Sequence, residues 1–165
     1  MQHKVKEVRL KNGVTGLLID VPQAQVMNYD FSLRAGYYLA EEGKWETPHV
    51  IEHHLCGANQ KYRKARTFEA EVKKNGAYTN AYTSTYNVGY VGECADFEWD
   101  RILDLLLLSI SQPMFLQEEF TAEMGNVREE LTGYLTNYFR QLGVALSERV
   151  GFLVTSDRKR LSGLK

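Results

Sequence analysis

Two histidines and a glutamate lie close together between His49 and His53, in the pattern H-x-x-E-H. On a helix, positions i, i+3 and i+4 share one face, so the three side chains would point the same way. Two such imidazoles can bind a divalent metal ion, and a carboxylate that is not a ligand can take a proton from water that the metal activates. The pattern predicts metal-assisted hydrolysis with Glu52 as general base. Paired histidines near a helix start can instead be structural, bonded to the backbone.

A catalytic zinc site takes three protein ligands and leaves a position for water, so a third ligand must come from elsewhere in the chain. The acidic segment 118–130 is the candidate source of this ligand, and because it has few helix breakers we predict that it is a long helix. Its residues with helical spacing along one face are Glu119, Glu123, Asn126 and Glu130. Taken alone, such a run is more typical of a solvated acidic face. Together with the histidine pair, it becomes a candidate second half of a metal site.

These residues and their spacing resemble the N-terminal catalytic half of the M16 family, which includes pitrilysin, insulin-degrading enzyme and the mitochondrial processing peptidase. In that family a glutamate ligand follows the second histidine by 77 positions, and here that position holds Glu130. A supporting glutamate precedes the ligand by seven positions, and here it is Glu123. Gly76 followed by Asn80-Ala81 matches a further family feature. The resemblance runs from about residue 8 to about residue 153.

The resemblance implies one Zn²⁺ per chain, with His49, His53 and Glu130 as ligands. It also implies that Glu52 is the general base and that Glu123 orients a ligand and tunes its basicity.

Two alternatives concern the metal ligands. Glu129 is the runner-up third ligand because it neighbours Glu130, although the two cannot share a helix face.

Cys56, one helical turn past His53, could offer a thiolate. We expect it instead to be a small buried filler.

Substrate binding is implied by the same resemblance. Asn80 and Ala81 would lie on an edge strand to which an extended peptide adds by main-chain hydrogen bonds, with loose sequence preference. Without the family, the segment would be an ordinary strand. The expected substrate is a peptide or an unfolded protein.

The chain length departs from the family, whose members have two homologous halves that close around the substrate. We expect residues 1–165 to be a single, truncated M16 N-terminal peptidase domain that lacks its C-terminal half. That half normally supplies an arginine and a tyrosine that hold the substrate. Activity would therefore need a C-terminal half, a partner subunit or a homodimer. The segment 54–59 also replaces the usual Met-x-Phe-x-Gly-Thr, which leaves the subfamily open.

Two functions remain as hypotheses. The first is a zinc-dependent endopeptidase domain, and the alternative is a non-catalytic M16-like subunit or interaction module with a silent or structural metal site. Non-catalytic members of the family commonly lose motif residues, whereas this chain keeps all of them. That difference favours the enzyme.

Composition agrees with one folded domain of 165 residues, 44% hydrophobic and 25% charged. The net charge of −1 gives no electrostatic case for nucleic acid or membrane binding. We interpret the basic clusters Lys73-Lys74 and 158–160 as solvated patches. The chain start lacks a secretory signal, which predicts a cytoplasmic protein, or an organellar one after removal of a targeting sequence.

Sequence patterns predict an α+β fold with helices packed on one face of a mainly antiparallel sheet, the LuxS/metallopeptidase-like half-domain that the resemblance also implies. The predicted strands are 5–10, 15–21, 26–34, 78–85 and 87–93. The predicted helices are the motif helix opened by Pro48, then 67–74, 96–111, 116–137 and 139 to about 153.

Overall fold

The computed structural model describes residues 2–152 and 154–164, and these residues form the predicted α+β fold. The strands are β1 (Lys4–Arg9), β2 (Thr15–Asp20), β3 (Val26–Leu33), β4 (Tyr78–Thr83) and β5 (Val88–Ala95). The α-helices are α1 (Thr47–Leu55), α2 (Ala65–Lys73), α3 (Trp99–Ser111), α4 (Gln117–Thr136), α5 (Tyr138–Arg149) and α6 (Asp157–Gly163). Short 3₁₀ turns occupy Tyr37–Leu39 and Asp96–Glu98.

The sheet is antiparallel throughout but divided into two parts. β1 and β2 form a separate hairpin, while β3, β5 and β4 form a three-stranded sheet in that order. Because β5 is central, β4 keeps one free edge in the described structure. Helix α3 packs closely on β5, since a Cβ built on Gly92 would lie 2.6 Å from Leu106 Cδ1. The main core therefore lies between the three-stranded sheet and helices α2 and α3.

A second, smaller core joins α1, α4 and the end of α6. Val50 of α1 packs with Val127 and Leu131 of α4 and with Leu164, which follows α6. Val127 and Leu131 are fully buried, so apolar burial holds the glutamate-bearing helix against the motif helix. This packing positions the two halves of the candidate site.

The C-terminal helical region differs from the prediction of one helix from 139 to about 153. Helix α5 ends at Arg149, and residue 153 lies outside the described residues. Gly151 has a φ of 83°, its N–H donates to the Glu148 carbonyl, and the Phe152 N–H donates to the Ser147 carbonyl. This pair of bonds is the Schellman motif that ends many helices at glycine. Helix α6, which follows, was not predicted.

Some apolar side chains remain exposed in the described structure. Leu17 and Ile19 of the β1–β2 hairpin are examples, and none of the α5 residues is buried. No helix within the described ranges is both long enough and apolar enough to cross a membrane.

Candidate metal centre

Helix α1 presents the H-x-x-E-H residues on one side. It begins at Thr47, and Pro48 occupies its first turn, where a missing N–H costs no helical hydrogen bond. His49 and Glu52 are buried and His53 is half-buried. The expected helical spacing therefore directs both imidazoles and the carboxylate inward, toward α4 and β4.

Three donor atoms converge between α1 and α4. The Nε2 atoms of His49 and His53 are 3.2 Å apart. Glu130 Oε2 of α4 lies 3.4 Å from His49 Nε2 and 3.6 Å from His53 Nε2. These three residues form a group whose possible ligand atoms all lie within 4.8 Å of one another. The fold thus brings together His49, His53 and Glu130, the three residues predicted from the sequence to be ligands.

The spacing fits a tetrahedral zinc ion. Two ligands bound at zinc–nitrogen and zinc–oxygen distances would be separated by about 3.3 Å at the tetrahedral angle. The three observed separations of 3.2, 3.4 and 3.6 Å bracket that value. Three nitrogen and oxygen donors also match the ligand set of catalytic zinc sites, which leave one position for water.

Each histidine is held by a carboxylate on its other ring nitrogen. Glu46 Oε2 lies 2.9 Å from His49 Nδ1, and Glu123 Oε2 lies 3.0 Å from His53 Nδ1. An ionised carboxylate only accepts hydrogen bonds, so each Nδ1 carries the proton and donates it. Both Nε2 lone pairs, and an oxygen of Glu130, then face one point. This concentration of negative potential is stabilised by a bound cation or by a proton.

The charges around His49 alter its proton affinity. Burial alone would lower its pKa, but the hydrogen bond to Glu46 and the nearby Glu130 carboxylate outweigh burial and raise the pKa. Burial would likewise raise the pKa of Glu46, and its bonds to His49 and Arg160 lower the pKa instead. In the metal-free protein, a proton therefore competes with a metal ion for the His49 ring.

Glu52 is not a member of the converging group. Its carboxylate accepts a hydrogen bond of 2.6 Å from the Thr83 hydroxyl at the end of β4. It is thus directed toward the strand rather than at the ligand cluster. Asn80 and Ala81 lie on the same strand, opposite Val91 and Tyr90 of β5 in the antiparallel register.

The alternative ligands lie elsewhere. Glu129 is exposed and does not belong to the converging group. Cys56, at the C-cap of α1, is outside the group too, and it is exposed, so the expectation of a buried filler was wrong. Glu119 instead accepts hydrogen bonds from the backbone N–H groups of Ala58 and Ala65, which ties α4 to the loop between α1 and α2.

Several residues that contact the centre were not predicted from the sequence. Glu46 and Thr83 contact His49 and Glu52, and the Tyr134 hydroxyl donates to Glu130. Tyr134 follows Glu130 by one helical turn, a spacing that could have indicated this contact. Arg160 was wrongly assigned to a solvated basic patch, because it is buried and paired with Glu46.

Most of this chain is similar to known proteins. Residues 41–149 match the family described as Insulinase (Peptidase family M16). Insulin-degrading enzyme-like 2 of Arabidopsis thaliana is 25% identical over 129 residues, which are 78% of this chain and 13% of that protein. An uncharacterized zinc protease of Rickettsia bellii is 22% identical over 131 residues, 79% of this chain and 32% of that protein. The crystal structure of pitrilysin has a TM-score of 0.73 and 25% identity, covering 80% of this chain and 14% of that one.

The chain thus spans at most 32% of the length of these relatives. The matched segment nevertheless includes more than half of the chain, and it contains all three residues of the converging group, His49, His53 and Glu130. The resemblance inferred from the motif is confirmed, and the chain belongs to the insulinase family of peptidases, M16.

Proposed function

We propose that this chain is a zinc-dependent endopeptidase domain in which His49, His53 and Glu130 hold one Zn²⁺. The observation that carries the proposal is the convergence of three donor atoms at separations of 3.2 to 3.6 Å. The uncharacterized zinc protease of Rickettsia bellii, a relative by sequence, supports the choice of zinc.

Bound zinc would lower the pKa of a water molecule and polarise the scissile carbonyl. Glu52 would take the proton from the attacking water and pass it to the leaving amine. The Thr83 hydroxyl, 2.6 Å from Glu52, supports this role because it fixes the carboxylate on the β4 side of the centre. Glu123 would hold the His53 ring through its Nδ1–H.

The peptide would bind as an added strand along the free edge of β4, at Asn80 and Ala81. This edge carries main-chain groups that β5 does not use, and those groups can pair with any extended peptide. Because Thr83 of the same strand contacts Glu52, a peptide on this edge would pass close to the proposed base. Unfolded proteins and flexible peptides are therefore the expected substrates.

Residues 1–165 would act as an N-terminal peptidase domain that requires more protein to close around a substrate. The relatives that it matches are much longer, because the aligned 129 and 131 residues are only 13% and 32% of their lengths. A C-terminal half, a partner subunit or a second copy of the chain would supply the missing contacts.

The test is cleavage of an unstructured fluorogenic peptide by the 165-residue protein, with bound zinc measured in the same samples. Cleavage that requires one zinc per chain, and that is lost in Glu52→Gln while zinc is retained, supports the proposal. Stoichiometric zinc without cleavage means that the site needs a further domain. Absence of both zinc and cleavage contradicts the proposal and favours a non-catalytic interaction module.

A further inference from the structure

Helix α6 brings two charged residues into the interior beside the metal centre. Arg160 is 5% exposed and Asp157 is 2% exposed, and Glu46, which Arg160 contacts, is 2% exposed. Charges at such depth are costly unless they are paired and hydrogen-bonded. Their burial therefore requires specific partners, and those partners lead to the candidate ligands.

Arg160 holds Glu46 with two of its nitrogens. Nε donates to Glu46 Oε1, and Nη2 donates to Glu46 Oε2 at 3.1 Å and to the Tyr37 hydroxyl at 2.6 Å. This forked contact fixes both the position and the rotation of the carboxylate, which a single point charge would not do. Glu46 Oε2 then accepts the Nδ1–H of His49 at 2.9 Å. Arg160 thus reaches a candidate metal ligand through one carboxylate.

Asp157 anchors Arg160 and links it to the other side of the centre. It accepts from Arg160 Nη1 at 3.3 Å and from Arg140 at 2.9 and 2.8 Å. The Arg140 guanidinium lies 3.7 Å from the centre of the Tyr134 ring, and the Tyr134 hydroxyl donates to Glu130. The chain of contacts from His49 through α6 therefore returns to the candidate ligand Glu130.

His53 is supported independently of α6. Its Nδ1 faces Glu123 of α4, which also accepts from Asn126 of the same helix at 3.1 Å. The two histidines thus have separate supports. His53 is held from α4, and His49 is held through Glu46 by Arg160 of α6, which lies after residue 149, where the family match ends. This separation allows the two supports to be tested against each other.

We infer that Arg160 is a positioning residue for the metal centre, acting through Glu46 to hold the His49 ring in its metal-binding orientation. The inference rests on the proposed zinc site. It assigns to α6 a role in metal affinity that the M16 match to residues 41–149 does not include. Removing a residue that hydrogen-bonds to a metal ligand, as Glu46 does to His49, typically weakens metal affinity by about 10- to 100-fold, and this range is an upper limit for Arg160, which acts through Glu46.

The test is a double-mutant cycle on zinc affinity, measured by competition with a chromophoric chelator. Arg160→Gln should weaken zinc binding about 3- to 10-fold, less than the loss expected for Glu46, because Arg160 acts one contact further from the metal. In a Glu46→Gln background, the same substitution should change affinity by less than about twofold, because its effect passes through Glu46. In a Glu123→Ala background, it should keep its full effect, because the supports are independent. Arg158→Gln, an exposed neighbour on α6, is the matched control and should bind zinc like wild type.

Other outcomes have distinct meanings. Wild-type zinc affinity in folded Arg160→Gln, or an equal loss in the Glu46→Gln background, overturns the inference. If Arg160→Gln does not fold, Arg160→Lys replaces it in the cycle, since it keeps the charge but loses the fork, and the same non-additivity with Glu46→Gln is required. If wild type binds no zinc, the proposed function fails and this inference fails with it. If wild type binds zinc, the zinc affinities of the Arg160 variants test the inference separately from the proposed function.

Discussion

Removing the carboxylate of Glu123 tests the support of His53 most cleanly. Glu123 Oε2 lies 3.0 Å from His53 Nδ1, and the side chains are 28% and 23% exposed, respectively. Glu123→Ala removes the acceptor without creating a buried cavity, and alanine suits the middle of α4. We expect weaker zinc binding with little change in the stability of the metal-free protein, because an ion pair that remains partly exposed to solvent contributes only about 0–1 kcal/mol.

The size of the effect follows from the contact that is lost. Loss of a carboxylate that orients a metal-bound histidine costs about 10- to 100-fold in affinity, or roughly 1.4–2.7 kcal/mol. At zinc concentrations far above both dissociation constants, that difference appears in full as lost zinc-dependent stabilisation. For a chain of this length, each kcal/mol moves the Tm by about 2–4 °C. The rise in Tm on adding zinc should therefore be about 3–11 °C smaller than in wild type.

The assay is thermal unfolding with and without excess zinc, followed by circular dichroism, with the dissociation constant measured by chelator competition. Glu129→Ala is the control, since Glu129 is an exposed neighbour of Glu130 on the same helix. It should leave both the zinc-dependent rise in Tm and the affinity unchanged. Wild-type zinc affinity in Glu123→Ala would refute this account of His53, and zinc loss in Glu129→Ala would show that the wrong glutamate has been assigned as ligand.

Three other predictions concern the base, the packing and the acid response. Glu52→Gln should retain zinc and lose about 10²- to 10⁴-fold in peptide turnover, and turnover near the wild-type rate would exclude Glu52 as the base. Leu131→Ala should lower the free energy of unfolding by about 2–5 kcal/mol in urea titrations, because Leu131 is fully buried between α1 and α4; a loss under about 1 kcal/mol would contradict that packing. Burial would raise the pKa of the Asp157 carboxyl, but its bonds to Arg140 outweigh burial and lower the pKa below the ordinary 3.8. The contribution of ionised Asp157 to the free energy of unfolding is therefore complete above pH 3.8 and is lost as the pH falls through the lowered pKa. Asp157→Asn should therefore cost stability at pH 7, with a difference from wild type that narrows as pH falls below about 4, and a constant difference would exclude the ion pairs as its cause.

Local spacing was enough to predict one half of the candidate site. His49, Glu52 and His53 are close in sequence, and helix geometry alone determines that they share a face. Glu130 is different, because helical periodicity alone makes Glu119, Glu123 and Glu130 equally good candidates for the third ligand. The spacing in the M16 family is what indicates Glu130. Glu119 contacts backbone N–H groups instead, which periodicity could not distinguish from contact with a ligand.

The support from α6 could not be predicted from local sequence. Glu46 and Arg160 are 114 residues apart, and the packing of α6 against α4 and against residues 43–45 brings them together. In the sequence, Arg160 belongs to a basic run that is typical of a solvated surface, and α6 is too short for periodicity to reveal a buried face. The end of α5 had a local signal, the glycine at position 151, which the apolar pattern around it obscured.

Anomalous X-ray scattering at the zinc absorption edge, from crystals of the zinc-loaded 165-residue protein, would locate the bound zinc and its ligands. We expect one peak between α1 and α4, about 2.0–2.1 Å from the Nε2 atoms of His49 and His53 and about 2.0–2.2 Å from a carboxylate oxygen of Glu130. A peak coordinated by Glu129 or Cys56, or no peak near His49 and His53, would contradict this expectation.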